Sequence, residues 1–501
     1  MRSTFPLILL LGFTVAVSAD PKSEKAIEPT AKDTPFAPIP PKAVVRDGTV
    51  EINGKTVPYK ATTGKIQIKE DGDKVCASIF NVTYERSDVK DTSSRPVLFA
   101  FNGGPGSSSA WLHVGVLGPK TVKLPGNGTT APEPPLQVQD NPLSILDTCD
   151  LVFVDPVSTG YSRAENDAKP GDFHGVDEDI RSMGDFVRRW ISEHERWSSP
   201  KYLLGESYGG MRVAGLSDFL QSRYGMNLNG VVLVSSVLDL STLGSAPGND
   251  LSYLIFLPAF TSVAHFHGKI TGDRDALIQQ SREFAFGEYA ASLLKGNSLS
   301  PDAAKAIAGK LEQLTAIPAA TWLAHDLRIS PSGFRAALLK NEGKVIGRFD
   351  GRVAWNTTDK TSNAPDYDPS YSLAYGAISS AMMDYLGRGL GYKEDQPYEI
   401  LTGKVHPWRF GSNGENVNMG ERLASAMREN PRLRVLVMGG VNDLAAPADN
   451  VAYIIRHLLD LPADTLHNII TTQYDGGHMF YLNPQDLAKT RADLLKFIQN
   501  P

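Results

Sequence analysis

Apolar residues in this chain gather into six short runs: Val97–Phe101, Leu151–Val154, Tyr202–Leu204, Val231–Val234, Val435–Met438 and Asn468–Tyr474. Runs of this length, without alternation, suit strands covered by helices on both faces. Longer amphipathic stretches lie among them. In Asp177–His194 the residues Ile180, Met183, Phe186, Val187 and Trp190 recur at helical spacing, and Asn418–Asn430 has the same character. Strands alternating with helices predict a doubly wound, mostly parallel α/β sheet. Ahead of it, Gly48–Tyr84 reads as antiparallel β structure, because Asn53-Gly54 and Asp71-Gly72 supply the positive φ angles of tight hairpin turns. Val75–Tyr84 partly alternates, as a half-buried strand does.

The rhythm breaks after residue 243. Helical patterns at Asp273–Phe286, Pro301–Leu314 and Ser332–Lys340 occur with few buried-strand runs, which predicts a mainly helical insertion over 244–400. Leaving from the C-terminal side of the sheet, such an insertion caps the region where loops carry function. The expected core is therefore split into 44–243 and 401–501. At the N-terminus, Arg2, the apolar run Phe5–Val17 and the small residues Ser18 and Ala19 describe a secretory signal peptide over 1–19. The run is shorter than the ~20 residues of a membrane span. Residues 20–43, with Pro35, Pro38, Pro40 and Pro41, read as a flexible linker. Export to a periplasmic or extracellular space, without stable membrane insertion, is expected.

A net charge of −6 leaves no basic field for nucleic acid. Two cysteines, Cys76 and Cys149, form one disulfide or remain as two buried thiols; both readings stay open. His265 and His267 have no identifiable acidic or histidine partners for a metal, and no Cys/His cluster has zinc spacing. No metal or cofactor is expected. Oligomeric state is not readable.

The pentapeptide Gly205-Glu206-Ser207-Tyr208-Gly209 joins an apolar run to a helix-patterned segment. A serine flanked by glycines at a strand-to-helix turn is a nucleophile elbow. With 45 glycines in the chain, that pattern alone is weak. The other parts of a site stand where the same fold needs them. Asn102-Gly103-Gly104-Pro105-Gly106 follows the first buried strand, so Gly104 and Tyr208 can present backbone N–H groups to an oxyanion. No Gly-Lys-Ser/Thr follows, which argues against a phosphate loop. Asp443 follows the fifth run and His478 the sixth, in the order nucleophile, acid, base of an α/β-hydrolase. Asp475, three residues before His478, is poorly placed to reach the far side of its ring.

These motifs, together with Val152-Phe153-Val154-Asp155-Pro156 and the Gly160-Tyr161-Ser162 that follows, resemble the serine carboxypeptidase family, especially its bacterial members, over roughly residues 45–500. The resemblance implies hydrolysis of the C-terminal peptide bond through an acyl-enzyme. It implies Ser207 as nucleophile, His478 as base and Asp443 as its orienting acid. Asn102, Gly103 and Glu206 would bind the terminal carboxylate of a peptide substrate. Two departures stand out. The family's second clamp glutamate aligns with Val116, and Ser107 stands where eukaryotic members usually carry a cysteine. An esterase or acyltransferase using the same triad is the first alternative, and a non-catalytic binding protein the second. Side-chain preference is not readable from the sequence.

Overall fold

All six apolar runs are strands, and the six strands are parallel to one another. The computed structural model describes residues 42–69, 73–411 and 417–499. The signal peptide, nearly all of the linker and the Asp71-Gly72 turn lie outside the described residues. The main sheet contains β1 (Val44–Ile52), β2 (Lys55–Lys69), β3 (Val75–Arg86), β4 (Val97–Phe101), β5 (Asp150–Val154), β6 (Lys201–Glu206), β7 (Gly230–Val234), β8 (Arg434–Gly440) and β9 (Ile469–Tyr474). Their spatial order is β1-β2-β3-β5-β4-β6-β7-β8-β9, with a two-residue strand at Arg163–Ala164 added to β3. Pairing is antiparallel from β1 to β5 along this order and parallel from β5 to β9. Asn53 and Gly54, at φ 51° and 70°, turn β1 into β2.

Alternation along each parallel strand sorts side chains into two cores. On β4, Leu98 and Ala100 enter one cluster while Val97, Phe99 and Phe101 enter the other. Helices α1 (Val176–Glu193) and α2 (Tyr208–Tyr224) seal the second cluster, with Ile180, Met183, Phe186, Val187 and Trp190 all inside it. The 244–400 segment divides its loyalties. Its helices α3 (Leu251–Phe266), α5 (Pro301–Thr315) and α6 (Pro331–Ala337), the first two flanking α4 (Arg274–Phe284), build a third cluster around Phe260, Leu311 and Phe334. Helix α7 (Pro369–Asp384) instead adds Leu373, Ala377 and Ile378 to the first cluster, on the sheet. Helix α8 (Met419–Glu429) joins the second cluster and α9 (Pro484–Gln499) the first.

Two strand expectations change. β3 is buried from Cys76 to Tyr84 rather than half-buried, because it lies inside the sheet between β2 and β5. β9 is the edge strand, and Ile470 is 36% exposed. The parallel strands start from a buried charge cluster: Asp150 at the head of β5 takes Arg95 Nε at 2.7 Å and Arg196 Nη1 at 2.6 Å. Removing one partner from such a group costs about 3–5 kcal/mol, since it strands the remaining charge.

The disulfide reading fails. Cys76 and Cys149 are both buried and are not joined in a disulfide, and they belong to different clusters on opposite faces of the sheet. No local rearrangement brings their sulfur atoms together. We expect an aromatic disulfide reagent to find no reactive thiol in the folded protein and two after unfolding in guanidinium, with the same Tm with and without reductant. A Tm lowered by reductant would contradict the assignment.

Candidate active site

Strand order puts a switch point between β4 and β6: the chain goes from β4 outward to β5, then returns to the other side of β4. Loops leaving two adjacent strands there diverge and open a crevice. The glycine loop leaves β4 and the Ser207 turn leaves β6. Ser207 has φ 60° and ψ −126°, a strained conformation for a residue with a Cβ, and Tyr208 begins α2. Its N–H donates to the Val234 carbonyl at 3.0 Å, and its own carbonyl accepts from Gly210 (2.9 Å) and Val237 (3.1 Å). A Cβ on Gly205 would come 2.1 Å from the Gly209 carbonyl oxygen, and one on Gly103 would come 2.5 Å from Tyr208 N. The glycine loop therefore lies directly against the start of α2, with the backbone of Gly103 beside that of Tyr208.

The loop is pinned from three sides. Ser109 donates its N–H and its hydroxyl to Asp155 Oδ1, both at 2.8 Å. Burial pushes the Asp155 carboxyl up to about 6, against the Ser109 bonds, which favour its anion. Ser108 N–H donates to the Ile400 carbonyl and Thr402 N–H to that of Gly106. Arg212, paired with buried Asp179 at 2.8 Å, donates through Nη1 to the Asn102 carbonyl at 2.6 Å. Ser107 is buried, and its hydroxyl donates to the Ile400 carbonyl at 3.2 Å.

Asp443 and His478 meet across the ends of β8 and β9. His478 Nδ1 lies 2.8 Å from Asp443 Oδ2, and both side chains are buried. Asp443 Oδ1 accepts from the N–H groups of Ala445 (2.7 Å) and Ala446 (2.9 Å). With one carboxylate oxygen tied to its own loop, the other faces the ring. A Cβ on Gly440 would come 2.1 Å from the Gly477 carbonyl oxygen, so the acid and base loops touch backbone to backbone. Burial opposes a charge on His478, yet the Asp443 carboxylate, with Glu206 assisting, lifts the imidazole above its ordinary value. Asp475 is engaged elsewhere, 2.6 Å from Arg274.

Glu206 is buried beside Ser207, and burial pushes its carboxyl up to about 7 against the pull of His478 and of a hydrogen bond from Tyr481. The Tyr481 hydroxyl is 2.6 Å from Glu206 Oε2. Asn102 weakly favours the Glu206 anion, and its own Oδ1 accepts from Leu112 N–H at 3.1 Å. Val116 is buried in the first core cluster. One residue earlier, Gly115 leaves the space that Tyr481 fills: a Cβ there would sit 2.8 Å from the tyrosine ring. Sequence reasoning missed Tyr481, and its proximity three residues past His478 was the one available signal.

Asn102, Gly103, Gly104, Glu206, Ser207 and His478 line one open cleft of about 340 Å³. Its rim holds two further residues the sequence did not point to, Arg348 and Phe349. The Phe349 carbonyl accepts from His478 N–H, and its ring lies 5.2 Å from the imidazole. The histidines set aside as metal ligands bond to backbone: His265 Nε2 to the Gly272 carbonyl and His267 Nε2 to that of Gly351.

Residues 51–463 match the family described as serine carboxypeptidase, a span that includes Ser207 and Asp443 and ends before His478. Among curated proteins, the chain is 29% identical over 189 residues to serine carboxypeptidase-like 8 of Arabidopsis thaliana, covering 36% of this chain and 41% of that protein. It is 29% identical over 187 residues to serine carboxypeptidase-like 11 of the same plant, covering 35% and 40%. The chain thus spans about two fifths of the length of these relatives. Among solved structures, that of Kex1(Δ)p, a prohormone-processing carboxypeptidase from Saccharomyces cerevisiae, superposes with a TM-score of 0.56 at 15% identity, covering 88% of this chain and 92% of that one. The likeness establishes the α/β-hydrolase fold.

Proposed function

Because the chain belongs to the serine carboxypeptidase family, we propose that it is an exported serine-type carboxypeptidase that releases C-terminal residues from peptides. The observation that carries this reading is a single cleft shared by Ser207, the Asp443-bound His478 and the buried carboxyl of Glu206. Ser207 Oγ attacks the scissile carbonyl while His478 Nε2 accepts its proton. The Asp443–Nδ1 bond keeps the other ring proton on Nδ1, so that Nε2 presents a lone pair, and it stabilises the imidazolium that forms. The N–H groups of Gly104 and Tyr208 receive the oxyanion, where one donor is worth about 3 kcal/mol in the transition state. The leaving amine takes the proton from His478, and water then repeats the sequence on the acyl-enzyme. Asn102, the Gly103 backbone and protonated Glu206 grip the terminal carboxylate. Export rests on residues 1–19, and N-terminal sequencing of the mature protein should begin at Asp20.

Recognition of the terminal carboxylate separates this reading from an esterase or acyltransferase. An N-blocked dipeptide acid should be cleaved at least about tenfold faster, as kcat/KM, than its C-terminal amide, one lost charge-assisted hydrogen bond being worth ~1.5–3 kcal/mol. Equal rates on the two would remove the exopeptidase assignment.

The pH dependence follows from two groups in contact. Productive enzyme needs neutral His478 and protonated Glu206. His478 gains its base form as pH rises, and Glu206 loses its proton as pH passes about 7. The kcat/KM profile is expected to be a bell with its maximum about pH 7. Glu206→Gln cannot ionise and should abolish the Glu206 contribution to the alkaline fall. A maximum below about pH 5 would contradict the role of burial at Glu206, because His478 would then need a base-form pKa far beneath its ordinary ~6.5.

A further inference from the structure

Arg348 is an exposed cation at the rim of the cleft that holds Ser207. Its backbone is fixed on both sides. Its N–H donates to Asp368 Oδ1 at 3.0 Å, its carbonyl accepts from Leu444 N–H at 3.1 Å, and the next carbonyl, that of Phe349, accepts from His478. The segment is thereby tied to both the acid loop and the base loop. The guanidinium carbon lies 5.2 Å from the centroid of the Phe349 ring.

The carboxylates nearby are already engaged. Asp350 pairs with Arg352 at 2.7 Å and accepts from Gly477 N–H at 3.2 Å. Asp368 caps α7 through the N–H groups of Ser370 and Tyr371 and lies 3.8 Å from Arg335. Among the described residues no carboxylate pairs with the Arg348 guanidinium. The cleft walls carry one carboxyl, Glu206, which burial keeps largely protonated below neutral pH. The cleft therefore offers a fixed positive charge without an internal counter-ion. It is near enough to His478 to oppose protonation of the ring. An arginine on an anchored backbone, with its guanidinium over an aromatic ring, presents a planar fork to a carboxylate.

We propose that Arg348 binds a carboxylate of the substrate, making it a specificity-determining residue of the cleft. The inference rests on the carboxypeptidase reading above for the identity of the substrate. Two sources supply the same chemistry. One is the side chain of an acidic residue next to the scissile bond; the other is the terminal carboxylate, held jointly with Asn102 and Glu206.

Binding without turnover tests it. In the Ser207→Ala protein, affinities are measured calorimetrically at low ionic strength for N-blocked Phe-Glu, Phe-Gln, Glu-Phe, Gln-Phe and the α-amide of Phe-Glu. Adding Arg348→Gln should weaken a glutamate ligand about fivefold more than its glutamine counterpart, as expected for a partly exposed ion pair. Equal weakening of Phe-Glu and Phe-Gln, with the α-amide spared, assigns the guanidinium to the terminal carboxylate. Affinities that are all unchanged by Arg348→Gln overturn the proposal. Failure of the carboxypeptidase reading registers separately, as equal hydrolysis of acid and amide by the unmodified enzyme.

Discussion

The backbone of Ser207 is the constraint on which the rest of this structure depends. A residue with a Cβ at φ 60° and ψ −126° is held at a cost of about 1–3 kcal/mol. Its neighbours hold it there by closing every hydrogen bond of its peptide groups, to Val234 on one side and from Gly210 and Val237 on the other. That closure requires backbone to touch backbone. The glycines at 103, 205, 209 and 210 stand where any Cβ would strike a main-chain atom or Ser236. The pentapeptide pattern is therefore a packing requirement as much as a chemical one. The same contacts set the glycine loop against the start of α2, so the proposed oxyanion donors are placed by the turn that carries Ser207.

What holds the loops in register is a set of buried polar links running outward from that turn. Arg212 ties α2 to the Asn102 carbonyl, and Asp155 at the end of β5 ties down Ser109. The chain at 400–402 closes over the loop from outside through Gly106, Ser107 and Ser108. Each link joins segments far apart in sequence, and each leaves its donor satisfied. Buried polar groups that are fully paired rigidify a site rather than merely adding stability. The segment Arg348–Asp350 extends the same logic to the base: it holds His478 N–H and Gly477 N–H while bringing an arginine to the rim.

Much of this was legible in the sequence, for identifiable reasons. Parallel strands in the interior are apolar on both faces, so Val97–Phe101 and Val231–Val234 announced themselves. β9 reads less cleanly because it is an edge. The positions of Ser207, Asp443 and His478 could be inferred because each follows a strand, and strand ends converge in a parallel sheet. The rest depended on tertiary neighbours. Tyr481 reaches Glu206 only because Gly115, far away in sequence, leaves room for its ring. Cys76 and Cys149 could not be judged without knowing that their side chains enter opposite faces of the sheet. Helix α7 has the composition of the segment around it, and only packing shows that it belongs with the sheet. Arg348 is an unremarkable charge in sequence, and its meaning comes from the two loops that anchor it.

Glu206 is paired with the Tyr481 phenol rather than with a second carboxyl, and that sets its electrostatics. Two carboxyls in contact share a proton because like charges so close cannot both ionise. Here burial raises Glu206 most, with a smaller push from the Asp443 carboxylate, and the phenol donor partly opposes that by stabilising the Glu206 anion. Neutral Glu206 with neutral His478 and ionised Glu206 with imidazolium contain the same number of protons, so their ratio does not change with pH. In the proposed reading the first is the productive state, and the fraction of singly protonated pairs in it is set by structure alone. An arriving substrate carboxylate places a second anion against Glu206 and draws its proton in more tightly. Binding above about pH 7 must then take up a proton, and by linkage the affinity falls with each further rise in pH. In the proposed reading, Glu206 thus makes carboxylate recognition and the protonation state of the Glu206–His478 pair a single equilibrium.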